Sequence, residues 1–437
     1  TASYANLRRL IREGYSLDQI PSGAIRTEEL VNYFRYDYPA PARGEPFGVS
    51  AEISPCPWNS DTLLLVLGLA TEPLDYENAP ASNLVFLLDV SGSMDSPDKL
   101  PLLQDAFTYL VERLGPKDTV SIVTYAGEER VVLDGANGNE DKEILRAIRR
   151  LSAGGSTDGQ SGLEMAYRLA QKNYIEGGNN RIIMASDGDL NVGMTSVSDL
   201  HDYVSEQRQN GVYLSVLGFG QGNYKDNKME TLADHGNGNY HYIDCLDEAE
   251  KVLGEDITAT LLTVADDVKL QIEFNPAYVK GYRQIGYENR QLATADFKDD
   301  SKDGGEVGAG HQVTVAYELV PLDSDMEVQG TDLKYQDSGS LSGTADSGEW
   351  LTLSVRYKNP GASESRLLAY AFGEAELTDS PSRDWRFVSA VAALSLVIRD
   401  SAYKGDTSLD QVLDTLDGLD LSDPYREEFR DLVEWLE

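Results

Sequence analysis

Between residues 80 and 260 the chain alternates two kinds of hydrophobic pattern. The segments NLVFLLDV, TVSIVTYAG, RIIMASDGD and VYLSVLGFG are apolar at almost every position. Strands of that kind are buried on both faces, as in a parallel sheet covered by helices. Between them lie KLPLLQDAFTYLVERL, DKEILRAIRRL, GLEMAYRLAQKNYI and VSDLHDYVSEQRQNG, where apolar residues recur at helical spacing. The alternation predicts an α/β domain with a doubly wound, mostly parallel sheet. VVLDGA, Val131 to Ala136, is expected as an antiparallel edge strand.

The flanks follow other rules. ANLRRLIREG and RTEELVNYFRYDYPAP carry short helical patterns, the second closed by proline, and FGVSAEISPCPWNS with TLLLVLGLA predicts two strands joined by a turn. After Leu261 the segments VKLQIEFNP, VKGYRQIGYE, HQVTVAYELVP and EWLTLSVRYKNP alternate apolar and polar residues, the signature of antiparallel strands with one solvated face. Acidic, Gly/Ser-rich loops separate them, at Asp296 to Gly310 and Asp337 to Gly348. The first of these, DFKDDSKDGGE, does not match the EF-hand spacing and reads as a solvated loop. WRFVSAVAALSLVIRD, LDQVLDTLDGL and PYREEFRDLVEWLE then restore helical spacing, and docking of these helices on the β region is expected. The pattern divides the chain into an N-terminal helical and β region (1–80), the α/β domain (81–260), an antiparallel β-rich domain (261–375) and a C-terminal helical region (376–437).

Composition narrows the possible partners. With 437 residues and 41% hydrophobic content the chain can build several cores, while a formal charge of -37 repels nucleic acid and anionic lipid surfaces. Two cysteines, Cys56 and Cys245, are too few for a disulfide scaffold, although they suffice for one bridge. No segment approaches the roughly 20 apolar residues needed to span a bilayer, and Phe387 to Ile398 is better read as a buried helix. The chain opens at Thr1 with no signal-like segment, so membrane association is expected only through an anchor that this chain does not contain.

Chemistry concentrates where the buried strands end. In open parallel sheets ligands bind outside the carboxyl ends of the strands, and there the chain places Asp89, Ser91 and Ser93 in DVSGS, Thr157 in GGSTDGQSG and Asp187 in ASDGD. Alternate residues of an extended chain point the same way, so 89, 91 and 93 are expected to converge, with Gly92 allowing the bend. Hydroxyls and carboxylates are hard ligands suited to Mg²⁺, Ca²⁺ or Mn²⁺ and poorly suited to zinc or copper. Any one of these residues also makes a helix cap; three oxygen-rich segments on successive strand-end loops point to a cation. Asp95, Asp158 and Asp189 add negative charge nearby and read as loop residues. No enzyme signature accompanies them: DVSGS lacks the glycine of a nucleophile elbow, no P-loop occurs, and His201, His235, His241 and His311 lack zinc-peptidase spacing. Catalysis is not expected.

DVSGS, the Thr157 loop and SDGD together resemble the metal-ion-dependent adhesion site of von Willebrand factor type A (VWA) domains. SYANLRRLIREG, RTEELVNYFRYDYP, IGYENRQLATADFKDD and GEVGAGHQVTVAYELVP are similar to the flanks of bacterial secreted or lipoprotein members. More loosely, the whole resembles inter-alpha-trypsin inhibitor heavy chains. The resemblance implies a Rossmann-like VWA fold and a Mg²⁺ ion (or Ca²⁺ or Mn²⁺) as cofactor. Ser91 and Ser93 would bind it directly, Thr157 directly or through water, and Asp89 and Asp187 through waters and hydrogen bonds. It further implies a partner protein or other carboxylate-bearing ligand held through the metal, at the cell envelope, in the periplasm or outside the cell. Two other roles known among VWA proteins are a scaffold subunit beside an ATPase, as in chelatases, and a domain with a purely structural metal. The segment Asp247 to Thr263 would be the last helix of the domain and its moving part, restrained here because it runs directly into the β region.

Overall fold

A computed structural model of the chain describes residues 2–74, 79–156, 159–188, 197–220, 226–287, 304–326 and 347–436. Its first two strands, β1 (Gly48–Pro55) and β2 (Leu63–Ala70), pair antiparallel, with Gly48 opposite Ala70 and Pro55 opposite Leu63. The next six form one sheet: β3 (Ser82–Asp89), β4 (Thr119–Tyr125), β5 (Glu129–Asn137), β6 (Asn179–Ser186), β7 (Tyr213–Phe219) and β8 (Tyr240–Ile243). Their order is β5-β4-β3-β6-β7-β8, parallel throughout except for β5, which closes one edge antiparallel to β4.

The apolar runs are explained by helices on both faces. All eight residues of β3 are buried. Leu84, Phe86 and Leu88 pack with Leu103 and Phe107 of helix Leu100–Val111, whereas Val85 and Leu87 pack with Leu163, Ala166 and Tyr167 of helix Gly159–Lys172. Strand order reverses at β3: the chain moves outward to β4 and β5, then returns to lay β6 on the other side of β3. The carboxyl ends of β3 and β6 therefore flank the switch point of a doubly wound sheet, the place where such folds bind ligands.

The remaining strands, β9 (Thr263–Phe274), β10 (Val279–Ile285), β11 (Gly305–Gly308), β12 (Gln312–Pro321), β13 (Glu349–Lys358) and β14 (Ser365–Gly373), are antiparallel. They do not stand apart from the N-terminal region. β2 pairs with β12, giving a sheet β1-β2-β12-β10 that faces a second sheet, β11-β9-β13-β14. Ile53, Leu65, Leu67, Val315 and Leu319 of the first meet Leu351 of the second. Leu64 and Val66 point the other way, into a helical layer built from both chain ends: helices Ala2–Arg12, Thr27–Val31, Arg383–Ile398, Leu409–Asp417 and Pro424–Leu436. The α/β domain is thus inserted between β2 and β9 of a helix-covered sandwich. The flanking regions 1–80 and 261–437 share one sheet and one helical layer. β12 is buried at every position from Thr314 to Val320, because the facing sheet covers one side of it and the helical layer the other.

Further features fill in the fold. Gly305–Gly308, read as loop, is an edge strand on β9. Cys56 and Cys245 are free thiols, both pushed upward in pKa by burial, to about 12 and about 11. The expected last helix of the α/β domain is broken into helix Leu246–Glu250, a π-helical turn Lys251–Glu255 and helix Ile257–Leu261. Among the described residues no helix is long and apolar enough to cross a membrane.

Three segments meet at one buried guanidinium. Arg8, fully buried, donates from Nε to Asp244 Oδ2 (3.0 Å), from Nη2 to Asp244 Oδ1 and to Glu248 Oε2 (2.9 Å), and from Nη1 to Glu428 Oε2 (3.1 Å). Burial disfavours its charge, and Asp244 and Glu248 outweigh that effect. The contact ties the N-terminal helix to the end of the parallel sheet and to the C-terminal helix, and Tyr33 adds a bond to Glu248 Oε2 at 2.8 Å. The segment 246–261 is held at its far end too, where Lys251 pairs with Asp256 (2.8 Å) and Tyr425 donates to Glu255 (3.0 Å).

His241 in β8 and His311 ahead of β12 lie near the Lys251–Asp256 pair, and burial lowers them to about 3 and about 4. Between the ordinary pKa near 6.5 and those values the unfolded chain binds more protons than the folded one, so acid removes stability in that window. A His241→Gln/His311→Gln variant is therefore expected to lose less stability than the wild type between pH 7 and pH 4.5, measured by urea unfolding at each pH. Equal losses would show that these imidazoles do not contribute.

Candidate metal centre

The site grows out of the switch point. β3 ends at Asp89, whose carboxylate is fully buried. Its Oδ1 accepts the Ser91 backbone N–H at 2.9 Å, and its Oδ2 accepts the Ser186 hydroxyl at 3.0 Å and the Tyr125 hydroxyl at 3.2 Å. Burial pushes this carboxyl up from the usual range and the charge of Asp187 adds to the shift, while the bonds from Ser91 and Ser186 oppose it. Asp89 is thereby fixed from three directions by the ends of β4 and β6 and by its own turn.

Beyond Asp89 the chain does not stay extended. Ser91 is extended (φ -60°, ψ 165°), but Gly92–Met94 forms a tight 3₁₀ turn, and that turn swings Ser93 back over Ser91. The two hydroxyls stand 3.0 Å apart, Ser91 buried and Ser93 exposed. Of residues 89, 91 and 93, expected to converge, Ser91 and Ser93 bring their hydroxyls together, by a turn and not by strand alternation, while Asp89 accepts the Ser91 backbone N–H. Gly92 is not what permits it: a Cβ there would make only an ordinary 3.4 Å contact with the Gly155 carbonyl. The left-handed positions are Gly155 (φ +83°), in the loop beside the serine turn, and Gly188 (φ +83°), which takes the chain away from β6 directly after Asp187.

Asp187, 3% exposed, follows β6 beside the end of β3. The loop that carries Thr157 is pinned next to the serine turn by two backbone bonds, Gly154 N to the Val90 carbonyl (2.8 Å) and Gly92 N to the Gly155 carbonyl (3.1 Å). Thr157 itself, like Asp158 and Asp189, lies outside the described residues. Asp95 is an exposed residue of the turn.

Three participants went unread in the sequence. Ser186 and Tyr125 are single polar groups closing apolar strands and leave no periodic trace. Lys99 had one signal: it is the N-cap of helix Leu100–Val111, where a helix's own dipole disfavours a cation. Its Nζ donates to Asp187 Oδ2 at 3.0 Å and to the Ser93 carbonyl at 2.9 Å.

The donor set suits a hard dication. Two oxygens on adjacent corners of an octahedral Mg²⁺, with bonds of about 2.05 Å, lie about 2.9 Å apart, and the Ser91 and Ser93 hydroxyls are spaced at 3.0 Å. Asp89 already accepts protein hydrogen bonds at both oxygens, which leaves the two hydroxyls as the foremost groups at the end of β3.

A six-stranded doubly wound sheet with DxSxS at its switch point defines a VWA protein, and the family model "von Willebrand factor type A domain" matches residues 83–255. Domains of this kind are modules that commonly mediate protein interactions. Two further models cover the flanks, "von Willebrand factor" over residues 1–66 and "Uncharacterized protein YfbK, C-terminal" over residues 259–437. The chain belongs to the YfbK family: it is 43% identical over 444 residues to YfbK of Escherichia coli (strain K12), spanning 99% of this chain and 76% of that protein. Inter-alpha-trypsin inhibitor heavy chain H4 of Homo sapiens is 28% identical over 164 residues, which is 35% of this chain and 16% of that protein. Among solved structures, a von Willebrand factor type A protein from Catenulispora acidiphila aligns over 92% of this chain and 91% of its own, with 15% identity and a TM-score of 0.47.

Proposed function

We propose that this chain binds a partner protein, or another carboxylate-bearing ligand, through a divalent cation at the carboxyl end of its parallel sheet. The observation that carries this reading is the Ser91–Ser93 hydroxyl pair, 3.0 Å apart and backed by a carboxylate that the fold has already hydrogen-bonded. Ser91, Ser93 and Thr157 would hold the ion, with Asp89 and Asp187 acting from behind them. A Mg²⁺ ion, or Mn²⁺ or Ca²⁺ in its place, supplies an open coordination position for an incoming acid group. Neutral hydroxyls leave more of the cation's charge available to that acid than carboxylate ligands would, and the carboxylates behind orient the hydroxyls.

The chain's own groups support binding in preference to catalysis. Asp89, the buried carboxylate best placed to serve as a base, is tied down by Ser91, Ser186 and Tyr125, and a base must be free to reach the proton it takes. The charge of -37 disfavours nucleic acid and anionic membrane as partners. The cell envelope, periplasm or extracellular space is the proposed setting, because divalent cations are plentiful there.

The test is affinity capture from a native envelope fraction, with and without EDTA, followed by Mg²⁺ re-addition. A defined partner that elutes in EDTA and rebinds in Mg²⁺ is expected, and a short acidic peptide is expected to compete with it. Capture that is indifferent to EDTA would contradict the proposal.

A further inference from the structure

Lys99 sits where helix electrostatics disfavour it, yet the fold holds its side chain over the site. Nζ bridges Asp187 Oδ2 (3.0 Å) and the Ser93 carbonyl (2.9 Å), and the side chain is 19% exposed. The methylene stem lies against Gly220, next after the end of β7. That residue has φ +86° and no side chain, and a Cβ there would collide with Lys99 Cε and Cγ. Three elements therefore place this ammonium: the serine turn, the end of β6 and the end of β7.

Two consequences follow from charge alone. A fixed positive group beside Asp187 and Ser93 opposes a dication brought to the same oxygens and neutralises part of the field that would attract it. The same group adds to the field felt by an incoming anion. An ammonium has three N–H donors, and the described contacts use two.

The geometry points to Lys99 as the resident cation of this site, a specificity-determining residue that weakens metal binding and strengthens the grip on a carboxylate. The inference rests on the reading of the site as a divalent-cation centre given above. It accounts for why a helix start carries a lysine turned inward.

The experiment uses the full chain and two probes: Mg²⁺ by titration calorimetry, and trifluoroacetate by fluorine NMR on the Mg²⁺-saturated protein. Lys99→Met keeps the stem over Gly220 and removes the charge, Lys99→Gln does so with a polar tip in case the first variant folds poorly, and Lys99→Arg keeps the charge. The neutral variants are expected to bind Mg²⁺ roughly five- to tenfold more tightly and trifluoroacetate several-fold more weakly, with Lys99→Arg close to the wild type. A lysine with a merely structural role would move both affinities in one direction or neither, and either result overturns the inference. A wild type that binds no Mg²⁺ would instead remove the metal centre itself, and the role of Lys99 with it.

Discussion

Replacing Arg8 by methionine is expected to produce the largest loss of stability of any single substitution considered for this chain, about 3–5 kcal/mol at neutral pH. The guanidinium is fully buried and answers Asp244, Glu248 and Glu428 together. A methionine fills much of the volume but leaves these carboxylates close to one another without a counter-charge. The signature lies in the pH dependence. Burial already raises Glu248, with the charge of Asp244 adding to it and Arg8 opposing. Without Arg8 the Glu248 carboxyl shifts further upward, so the penalty of its charge is present above the ordinary carboxylate range and fades as acid protonates it. Urea unfolding of Arg8→Met should therefore show a deficit at pH 7 that shrinks at pH 5. In a chain of several packed layers the flanks are expected to melt in a separate, earlier transition. A midpoint unchanged from the wild type at pH 7 would show that the guanidinium contributes little to joining the chain ends to the sheet.

The second large effect concerns metal and not the fold. Ligand binding to the native state stabilises by RT ln(1 + [L]/Kd), about 2.7 kcal/mol at a hundredfold excess over Kd. The wild type should show this increment with Mg²⁺, as a higher melting temperature that EDTA reverses. Ser91→Ala and Ser93→Ala should melt close to the wild type without metal, since each removes one hydroxyl from a two-hydroxyl contact, and should gain nothing from Mg²⁺. Asp89→Asn is a harsher change: an amide nitrogen would face the Ser91 N–H or the Ser186 and Tyr125 hydroxyls that Asp89 now accepts. It should lower stability in both conditions. A Ser91→Ala protein that kept the full Mg²⁺ increment would mean that the ion binds elsewhere.

How much of this was legible beforehand depended on how local the signal was. β3, β4, β6 and β7 could be read directly, because burial on both faces makes every position apolar. Asp89, Ser91, Ser93 and Asp187 were legible for the complementary reason: polar oxygens closing a buried strand need an explanation, and sheet topology supplies one. Pairing across the chain left no such trace. Nothing within β2 states that its neighbour is β12, 248 residues further on (Leu67 opposite Val315), so the helix-covered sandwich was divided into separate regions. The break at Lys251–Glu255 was equally hidden, since Val252, Leu253, Ile257 and Leu261 keep apolar spacing straight through it. Lys99 and Arg8 show a further limit. Each is one charged residue in a helical pattern, where a solvated face is the ordinary expectation, and only the fold reveals that both turn inward to carboxylates.

The inserted arrangement bears on how the site can work. The segment 246–261 leads from the last parallel strand into β9 and is gripped at both ends by the helical layer, through Arg8 and Tyr33 on Glu248 and through Tyr425 on Glu255. The parallel sheet that carries the site is therefore joined to the sandwich by charged contacts as well as by chain connections.

Diffraction from crystals grown with Mn²⁺, recorded at a wavelength where manganese scatters anomalously, tests the central claim most directly. The account predicts one strong anomalous peak within bonding distance of the Ser91 and Ser93 hydroxyls, with Asp89 behind it and Lys99 to one side. A map with no peak at these oxygens, while the turn at Gly92–Met94 keeps its shape, would contradict it.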